Sequence, residues 1–541
     1  MNILKRKTTL ALILLFAFSF KLFANESITF TWKGGSLIIT ATQGKAYAIN
    51  WGDDSAIETI IGTENGNYFH HYYSDTNVYT VSINALSNEC KFTHFHSGYG
   101  YELNSLIVTH APSLIAIVCW KQNLTSLDLS KNTALQILRC NNNQLKNLDV
   151  SENIALTELD CSVNQLSTLN VSNNTALKTL NCCNNQLNNL DISTNTALTE
   201  LNCGGNHLSS LNVSNNSKLI NLSCDKNSIT GLDVSNCIDL KEFVCYNNNI
   251  SNLNLENNTA LKYLDCENNG LKSLDVSKNT NLYEFYCRNN QITNIDVSKN
   301  LNLRHFNCSY NQLTTLDIRQ YKELYLICSD NRIKKIELNS DEIYYVSISS
   351  WDNQLPLSEL YFLSNVYGVS NSSSLGDQRL DKIYIPPGAD VDFSSEKEFG
   401  GVKTVFTVFK DGIIASENDY TLNNGIFKFN NKGNYTISMS NKAIYHGWYN
   451  YSPEVIAEVS VREVGIAETQ HAMSLQIYPN PVSNILYIDL ENTSTPPEVK
   501  IYSLQGVLLL QTQGNQIDVS SLPAGFYVAN VNGINRKIIK Q

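Results

Sequence analysis

Leu156–Ala176 reads LTELDCSVNQLSTLNVSNNTA. The phrase returns along the chain as L-x-x-L-x-C-x-x-N-x-L-x-x-L-D/N-V-S-x-N-T-A. Its cysteine falls at Cys119, Cys140, Cys161, Cys182, Cys203, Cys224, Cys245, Cys266, Cys287 and Cys308, each 21 residues from the next, and Cys328 follows after 20. A fixed period of this length marks a solenoid, in which each unit buries its apolar face only against its neighbours. Function is then to be read from a repetitive open surface and from flanking domains, rather than from an enclosed pocket.

Three columns explain why such a coil holds. Leucines such as Leu156 and Leu159 point inward and stack on the coils above and below. Asn143, Asn164, Asn185, Asn206, Asn227, Asn248, Asn269, Asn290, Asn311 and Asn331 form a second column, whose amides can both donate to and accept from turn backbone that is otherwise buried unsatisfied. The cysteines are the third. Fourteen cysteines in an exported chain would ordinarily suggest disulfides. Parallel side chains stacked at strand distance, however, have their Cβ atoms too far apart and wrongly aimed. A buried free thiol serves as a small hydrophobe, so the ladder reads as packing rather than chemistry. Cys183, beside Cys182, and Cys237, within an asparagine column, lie off the ladder and have no assigned role; nor does Cys90.

At 541 residues several domains are expected. Residues 1–24 read as a secretory signal: Lys5, Arg6 and Lys7, then the uncharged apolar run Leu10–Phe20, then Ala24 before the cut. The run is too short to span a bilayer, and no later segment is long and apolar enough to do so. Losing the signal removes Lys5, Arg6, Lys7 and Lys21 and no acid, lowering the formal charge from −11 to −15. That balance, with no Lys/Arg cluster, argues against nucleic acid. Residues 25–113 alternate apolar and polar in runs such as Ser27–Trp32 and Tyr79–Ile83, as β structure does. The repeats occupy 114–357, and Pro356 closes the last half-repeat because it cannot donate to a ladder. Residues 358–381 read as an irregular cap and loop containing Asn371–Ser374. Alternation resumes over 382–462, with turns at Asn423–Gly425 and Asn431–Gly433. A polar linker (463–473) and a last β segment (474–541) follow.

Four resemblances fit these segments. The half-phrase L-x-x-L-x-C-x-x-N-x-L resembles the leucine-rich repeat, and its cysteine, 21-residue period and LDVSxNT resemble the cysteine-ladder internalins over eleven repeats. That resemblance implies short parallel strands on a concave face, about 4.8 Å apart, and a convex side of extended chain and turns. Trp51-Gly52-Asp53-Asp54, His71-Tyr72-Tyr73 and Tyr79-Thr80-Val81 resemble the PKD-like sandwich, with Asp54 where the family has glycine. Such a domain would cap the first coil. Segment 382–462 resembles an Ig-like sandwich. Tyr478-Pro479-Asn480-Pro481, Ser503-Leu504-Gln505-Gly506, Leu522–Tyr527 and the terminal Lys537–Lys540 resemble the type A sorting domain of type IX secretion. It implies delivery across the outer membrane of a Gram-negative bacterium by the type IX machinery. The fold expected is thus mainly β: a leucine-rich-repeat solenoid flanked by β-sandwich domains.

Within a coil, the residues three before, one before and one after the cysteine should line the concave face. In the N-terminal half these are mixed, including Arg139, Asn141, Glu158, Asp160, Asn181 and Asn202. From Asp225 onward they become Asp225, Glu242, Tyr246, Tyr263, Asp265, Glu267, Glu284, Tyr286, Arg288, His305 and Tyr325. Tyrosines among carboxylates suit recognition, since Tyr offers rigid area with a polar tip, and their faces also suit sugar rings. The alternative is that large β-formers simply suit a strand. A column of Asp128, Asp149, Asp191, Asp233, Asp275, Asp296 and Asp317, interrupted by Asn170, Asn212 and Asn254, either accepts backbone hydrogen bonds or binds calcium. His70, His71, Cys90, His94, His96 and His110 crowd the N-terminal segment, and His94-x-His96 has the spacing of zinc ligands. The function expected is adhesive or protein–protein binding at a host or neighbouring-cell surface, to protein or glycan, with no cofactor and no catalytic residue. A metal-dependent hydrolase in the N-terminal domain and a passive coat protein are the competing readings.

Overall fold

The computed structural model describes residues 25–540 apart from 99–102, 367, 370–372, 445–451, 463–474, 479–483, 491–496, 504–507 and 532–533. The signal (1–24), the linker (463–473), and the Pro479–Pro481 and Leu504–Gly506 parts of the tail motifs lie outside the described residues. Among the described residues no helix is long and apolar enough to cross a membrane. The chain divides into two compact units, Met1–Trp351 with Val366–Ser374, and Asp352–Asn365 with Leu375–Gln541.

In the first unit each coil contributes a short strand, such as Glu158–Asp160, paired in parallel and in register with Ile137–Arg139 before it and Thr179–Asn181 after it. Leu156, Leu159, Cys161, Leu166 and Val171 are fully buried. The residue two after each cysteine lies in the left-handed region, as at Asn142 (φ 56°), Asn184 (φ 52°) and Asn289 (φ 53°). Asn reaches that conformation at least cost among residues with a side chain. It turns the chain off the sheet, and Asn164 locks the turn. Its Nδ2 donates to Cys140 O and Cys161 O, both at 3.0 Å, while its Oδ1 accepts from Leu145 N at 3.0 Å.

A second asparagine column, at Asn132, Asn153, Asn174, Asn195, Asn216, Asn258, Asn279 and Asn300, is completely buried on the other side of each coil. Asn174 Nδ2, for example, bridges Val150 O and Asn153 O at 2.9 Å each. Cys237 occupies one position of this column and Tyr321 another, its hydroxyl donating to Val297 O at 2.7 Å. None of the fourteen cysteines is in a disulfide. Burial pushes Cys119 up to about 12 and holds Cys140 and Cys161 well above the ordinary thiol range, so the ladder is neutral packing.

Among the described residues there are twelve coil strands, one more than the eleven ladder cysteines. Tyr345–Ser349 pairs in parallel with Glu323–Ile327, and fully buried Ser350 takes the ladder position. At the other end the solenoid sheet does not stop at the first coil. Phe92–Ser97 pairs in parallel with Ala116–Val118, His94 opposite Ala116, so one sheet of the N-terminal sandwich (Gly34–Ala41, Asn67–Tyr72, Phe92–Ser97) continues the solenoid sheet. Its partner sheet is Glu58–Ile61, Ala46–Asn50, Tyr79–Ala85, Ser27–Trp32 and Leu103–Ile107. Phe30, Phe95, Trp32 and Trp51 fill the space between the two. In the Trp51–Asp54 turn, Gly52 (φ 83°) and Asp54 (φ 63°) both have positive φ.

In the second unit, the segment that follows Pro356 differs from the irregular cap expected over 358–381. Leu357–Asn365 is a helix, its first turn closed by Pro356 O accepting from Glu359 N and Leu360 N at 3.1 Å each. Pro lacks only a donor, so it ends a ladder yet fits just before a helix. Gln378–Arg379 is already part of the next sheet, pairing in parallel with Glu454–Val461. That sheet also holds Ile383–Ile385, Gly433–Ser440, Val405–Lys410 and Ile413–Ile414, and it faces Asp390–Asp392, Ile426–Phe429 and Tyr420–Asn423. The last segment forms two sheets, Leu475–Tyr478, Ile485–Leu490 and Gln516–Asp518, and Leu508–Gln513, Glu498–Ser503, Gly525–Val531 and Ile534–Lys540. They share a core including Leu486, Val499, Ile501, Ile517, Ala529 and Ile538.

Candidate functional site

The parallel register fixes the concave columns. Glu242, Tyr263, Glu284, His305 and Tyr325 lie side by side across five adjacent strands, and Val244, Asp265, Tyr286, Asn307 and Ile327 form the column beside them. Side chains alternate faces along a strand. Phe243, Leu264, Phe285 and Phe306 between these columns therefore point into the core and are buried, while the columns themselves face outward.

The predicted residues divide into two groups. Tyr263 and Tyr286 meet at 5.7 Å between ring centroids, and Tyr286 Oη donates to Glu284 Oε2 at 2.7 Å. Glu267 Oε1 accepts from Asn307 Nδ2 at 3.0 Å, and Asp265 Oδ1 from Glu267 N at 3.1 Å. Tyr246 lies under the Lys226 ammonium at 5.5 Å. Asp225 Oδ1 accepts from Ser223 Oγ at 2.7 Å and leans over Gly204, where a Cβ would sit 2.4 Å from it. The second group is His305, with Tyr325 at 6.0 Å and Tyr283 at 6.1 Å. Arg288 leaves the first group: its guanidinium covers the Tyr310 ring at 4.8 Å.

Tyr283, Asn307 and Tyr310 were not among the predicted residues. Tyr310 stands two residues after its cysteine, in a column that otherwise reads as turn asparagine. Tyr283 stands four before, on the sheet margin, where it joins Glu242, Lys262, Tyr263, Glu284 and Arg304 around an open groove of about 570 Å³.

The electrostatics are one-sided. Among the described residues, no ion pair reaches Asp225, Glu242, Asp265, Glu267 or Glu284, whereas in the N-terminal half Glu158 is paired with Arg139. Burial, reinforced by the Glu267 and Asp225 charges, pushes the Asp265 carboxyl up to about 6. Burial also raises Glu267, against the pull of Arg288. The Tyr263 phenol is pushed to about 12, first by burial and then by Asp265, Glu284 and Glu267.

The other candidate sites resolve differently. Each Asp of the Asp/Asn column accepts from the backbone N–H two residues on, as Asp149 does from Ser151 at 3.0 Å, and Asn170 does the same from Ser172 at 3.0 Å. His70 and His71 lie on opposite faces of their strand. His71 stacks on Trp51 at 4.4 Å and meets Asp53 at 2.9 Å, while His70 bonds Ser36 at 3.0 Å. His94 and His96 do share a face, but among the described residues no three His, Cys, Asp or Glu side chains stand together as a metal site. Cys183 is partly exposed; Cys90 and Cys237 are buried.

In-register parallel strands, buried leucines, a cysteine ladder and asparagine-locked turns define a leucine-rich-repeat solenoid of the cysteine-ladder type. Residues 476–541 match the secretion system C-terminal sorting domain, and this tail marks a bacterial protein that is secreted or attached at the cell surface. No curated protein matches the chain in sequence. Among solved structures, the chain is similar to the functional domain of InlJ from Listeria monocytogenes, which includes a cysteine ladder. Identity is 24%, over 70% of this chain and 93% of that one, with a TM-score of 0.47. It is also similar to the internalin InlF of the same organism (21% identity, 51% and 84% covered, TM-score 0.43). A third likeness is to YopM, a leucine-rich effector protein from Yersinia pestis (24% identity, 50% and 74% covered, TM-score 0.41).

Proposed function

We propose that this is a non-enzymatic adhesion or recognition protein, exported by the type IX system of a Gram-negative bacterium, that binds a protein on a host or neighbouring cell through the concave face from Asp225 to Tyr325. In this reading 25–113 is a PKD-like cap, 114–357 the recognition solenoid, 382–462 an Ig-like spacer and 474–541 the sorting domain. The carrying observation is the half-buried, outward-facing tyrosine–carboxylate surface of Tyr246, Tyr263, Asp265, Glu284 and Tyr286, held rigidly by the strands beneath it. Rigid aromatic rings with polar tips contribute contact area at little entropic cost, and a few such residues dominate protein interfaces. A protein partner suits this surface better than a glycan, because among the described residues its five carboxylates have no ion-pair partner.

The test is to replace Tyr246, Tyr263 and Tyr286 together by Ala and measure binding of the folded protein to intact cell surfaces. Binding should fall at least about tenfold, as expected for loss of several anchor residues. Undiminished binding by a protein with unchanged melting would sink the concave-face reading.

A further inference from the structure

We infer that the partner segment seated on this face is basic: a Lys/Arg-rich stretch of polypeptide whose cations lie between the tyrosine rings and the unpaired carboxylates. This rests on the proposed recognition role of the same face and specifies its partner.

Two kinds of observation lead to it. The first is charge. Asp225, Glu242, Asp265, Glu267 and Glu284 share one sheet face, and no ion pair reaches any of them among the described residues. Like charges held this close repel unless a counter-charge arrives, and the effect strengthens as water is excluded. Arg288 already pulls on Glu267; a neutral partner would bury the other four carboxylates with no ion pair among the described residues, and an acidic one would worsen the repulsion. The second is the rings. Two tyrosines at this end of the face already receive cations of the chain itself: Lys226 stands 5.5 Å from the Tyr246 ring, and Arg288 stands 4.8 Å from that of Tyr310. A ring face attracts an ammonium or guanidinium within about 6 Å. Tyr263 and Tyr286 are tilted 49° to one another, and among the described residues no Lys or Arg lies over either ring. Their faces and the neighbouring carboxylates together form a place for one.

The experiment uses the mature chain and three soluble peptides of equal length: Arg-Gly repeats, Ser-Gly repeats and Glu-Gly repeats. The Arg-Gly peptide should bind at least tenfold more tightly than the other two. Isosteric neutralisation (Glu242→Gln, Asp265→Asn, Glu267→Gln and Glu284→Gln together) should abolish that preference. Tyr263→Leu with Tyr286→Leu should weaken Arg-Gly binding several-fold, while Tyr263→Phe with Tyr286→Phe should keep it. Equal binding of the three peptides, or Arg-Gly binding unchanged in the neutralised protein, overturns the inference. So does binding insensitive to the leucine pair, since that is diffuse attraction to an acidic surface. Failure here, together with loss of cell binding in the tyrosine-to-alanine protein, would leave the recognition role standing and remove only the basic partner.

Discussion

Two asparagine columns run the length of the solenoid, and they use the same side chain differently. In the Asn143 column both ends of the amide work: Asn206 Nδ2 donates to Cys182 O at 3.1 Å and Cys203 O at 3.0 Å, and its Oδ1 accepts from Leu187 N at 3.0 Å. In the Asn132 column only the donor end works. Asn195 Nδ2 bridges Val171 O at 3.0 Å and Asn174 O at 2.9 Å, but its Oδ1 has no partner among the described residues, and the same holds for its seven counterparts. The difference accounts for what each column admits. A position that needs donor and acceptor in one planar group is met by Asn, and from Asn143 to Asn331 the first column contains nothing else. A position that needs only a donor admits a thiol at Cys237 and a phenol at Tyr321.

This comparison can be broken by substitution. The largest effect should come from Asn206→Ala, which strands two carbonyls and one N–H in the interior. At about 1–3 kcal/mol for each unsatisfied group, the loss should be about 4 kcal/mol by denaturant titration. Asn195→Ala leaves Val171 O and Asn174 O still accepting from Asn174 N at 3.0 Å and Leu177 N at 3.1 Å, and it removes an unsatisfied oxygen, so about 1 kcal/mol is expected. Equal losses at the two sites would refute the functional distinction between the columns. The smallest effect should be that of Cys237→Asn. It replaces weak sulfur contacts of 3.9 and 3.7 Å with amide bonds but buries another unpaired oxygen, for a net change below about 1 kcal/mol. A large stabilisation there would mean that the amide oxygen is not the cost it is taken to be.

The same logic shows which parts of the molecule were legible beforehand. The period, the leucines, the ladder and the Asn143 column are each stated once per coil, so eleven cysteines declare the sheet and its outward columns. The twelfth coil was hidden because Ser350 stands where cysteine was being counted. Serine there is small enough to fit, and its backbone N–H is taken by Ser374 O at 3.0 Å. The helix Leu357–Asn365 was hidden by its mere nine residues, about two and a half turns of pattern, and by Pro356, which ends strands and precedes helices alike. The continuity of the N-terminal sheet with the solenoid could not be read at all. It is a pairing between Phe92–Ser97 and Ala116–Val118 that depends on edge geometry rather than on any residue type. In the candidate site, counting from the cysteine placed the strand positions that face outward, but it missed Tyr283, four before its cysteine, and Tyr310, two after. It could not foretell that Arg288 would turn aside to Tyr310, or that Asp225 would lean over Gly204, because those are choices of rotamer made against particular neighbours. The left-handed turn column was visible only in part: five of its members are asparagine, but Val163 occupies the same conformation at φ 52°, where a β-branched residue is strained.

The uniform coil also has a mechanical meaning. Each coil is held to the next by the same few hydrogen bonds along strands of three residues, so no coil is much harder to detach than its neighbour. Under tension the solenoid would lengthen in a train of near-equal steps, each freeing 21 residues, or about 70 Å of extended chain. For a molecule tethered between surfaces that move apart, such a train dissipates load gradually while the untouched coils keep their shape.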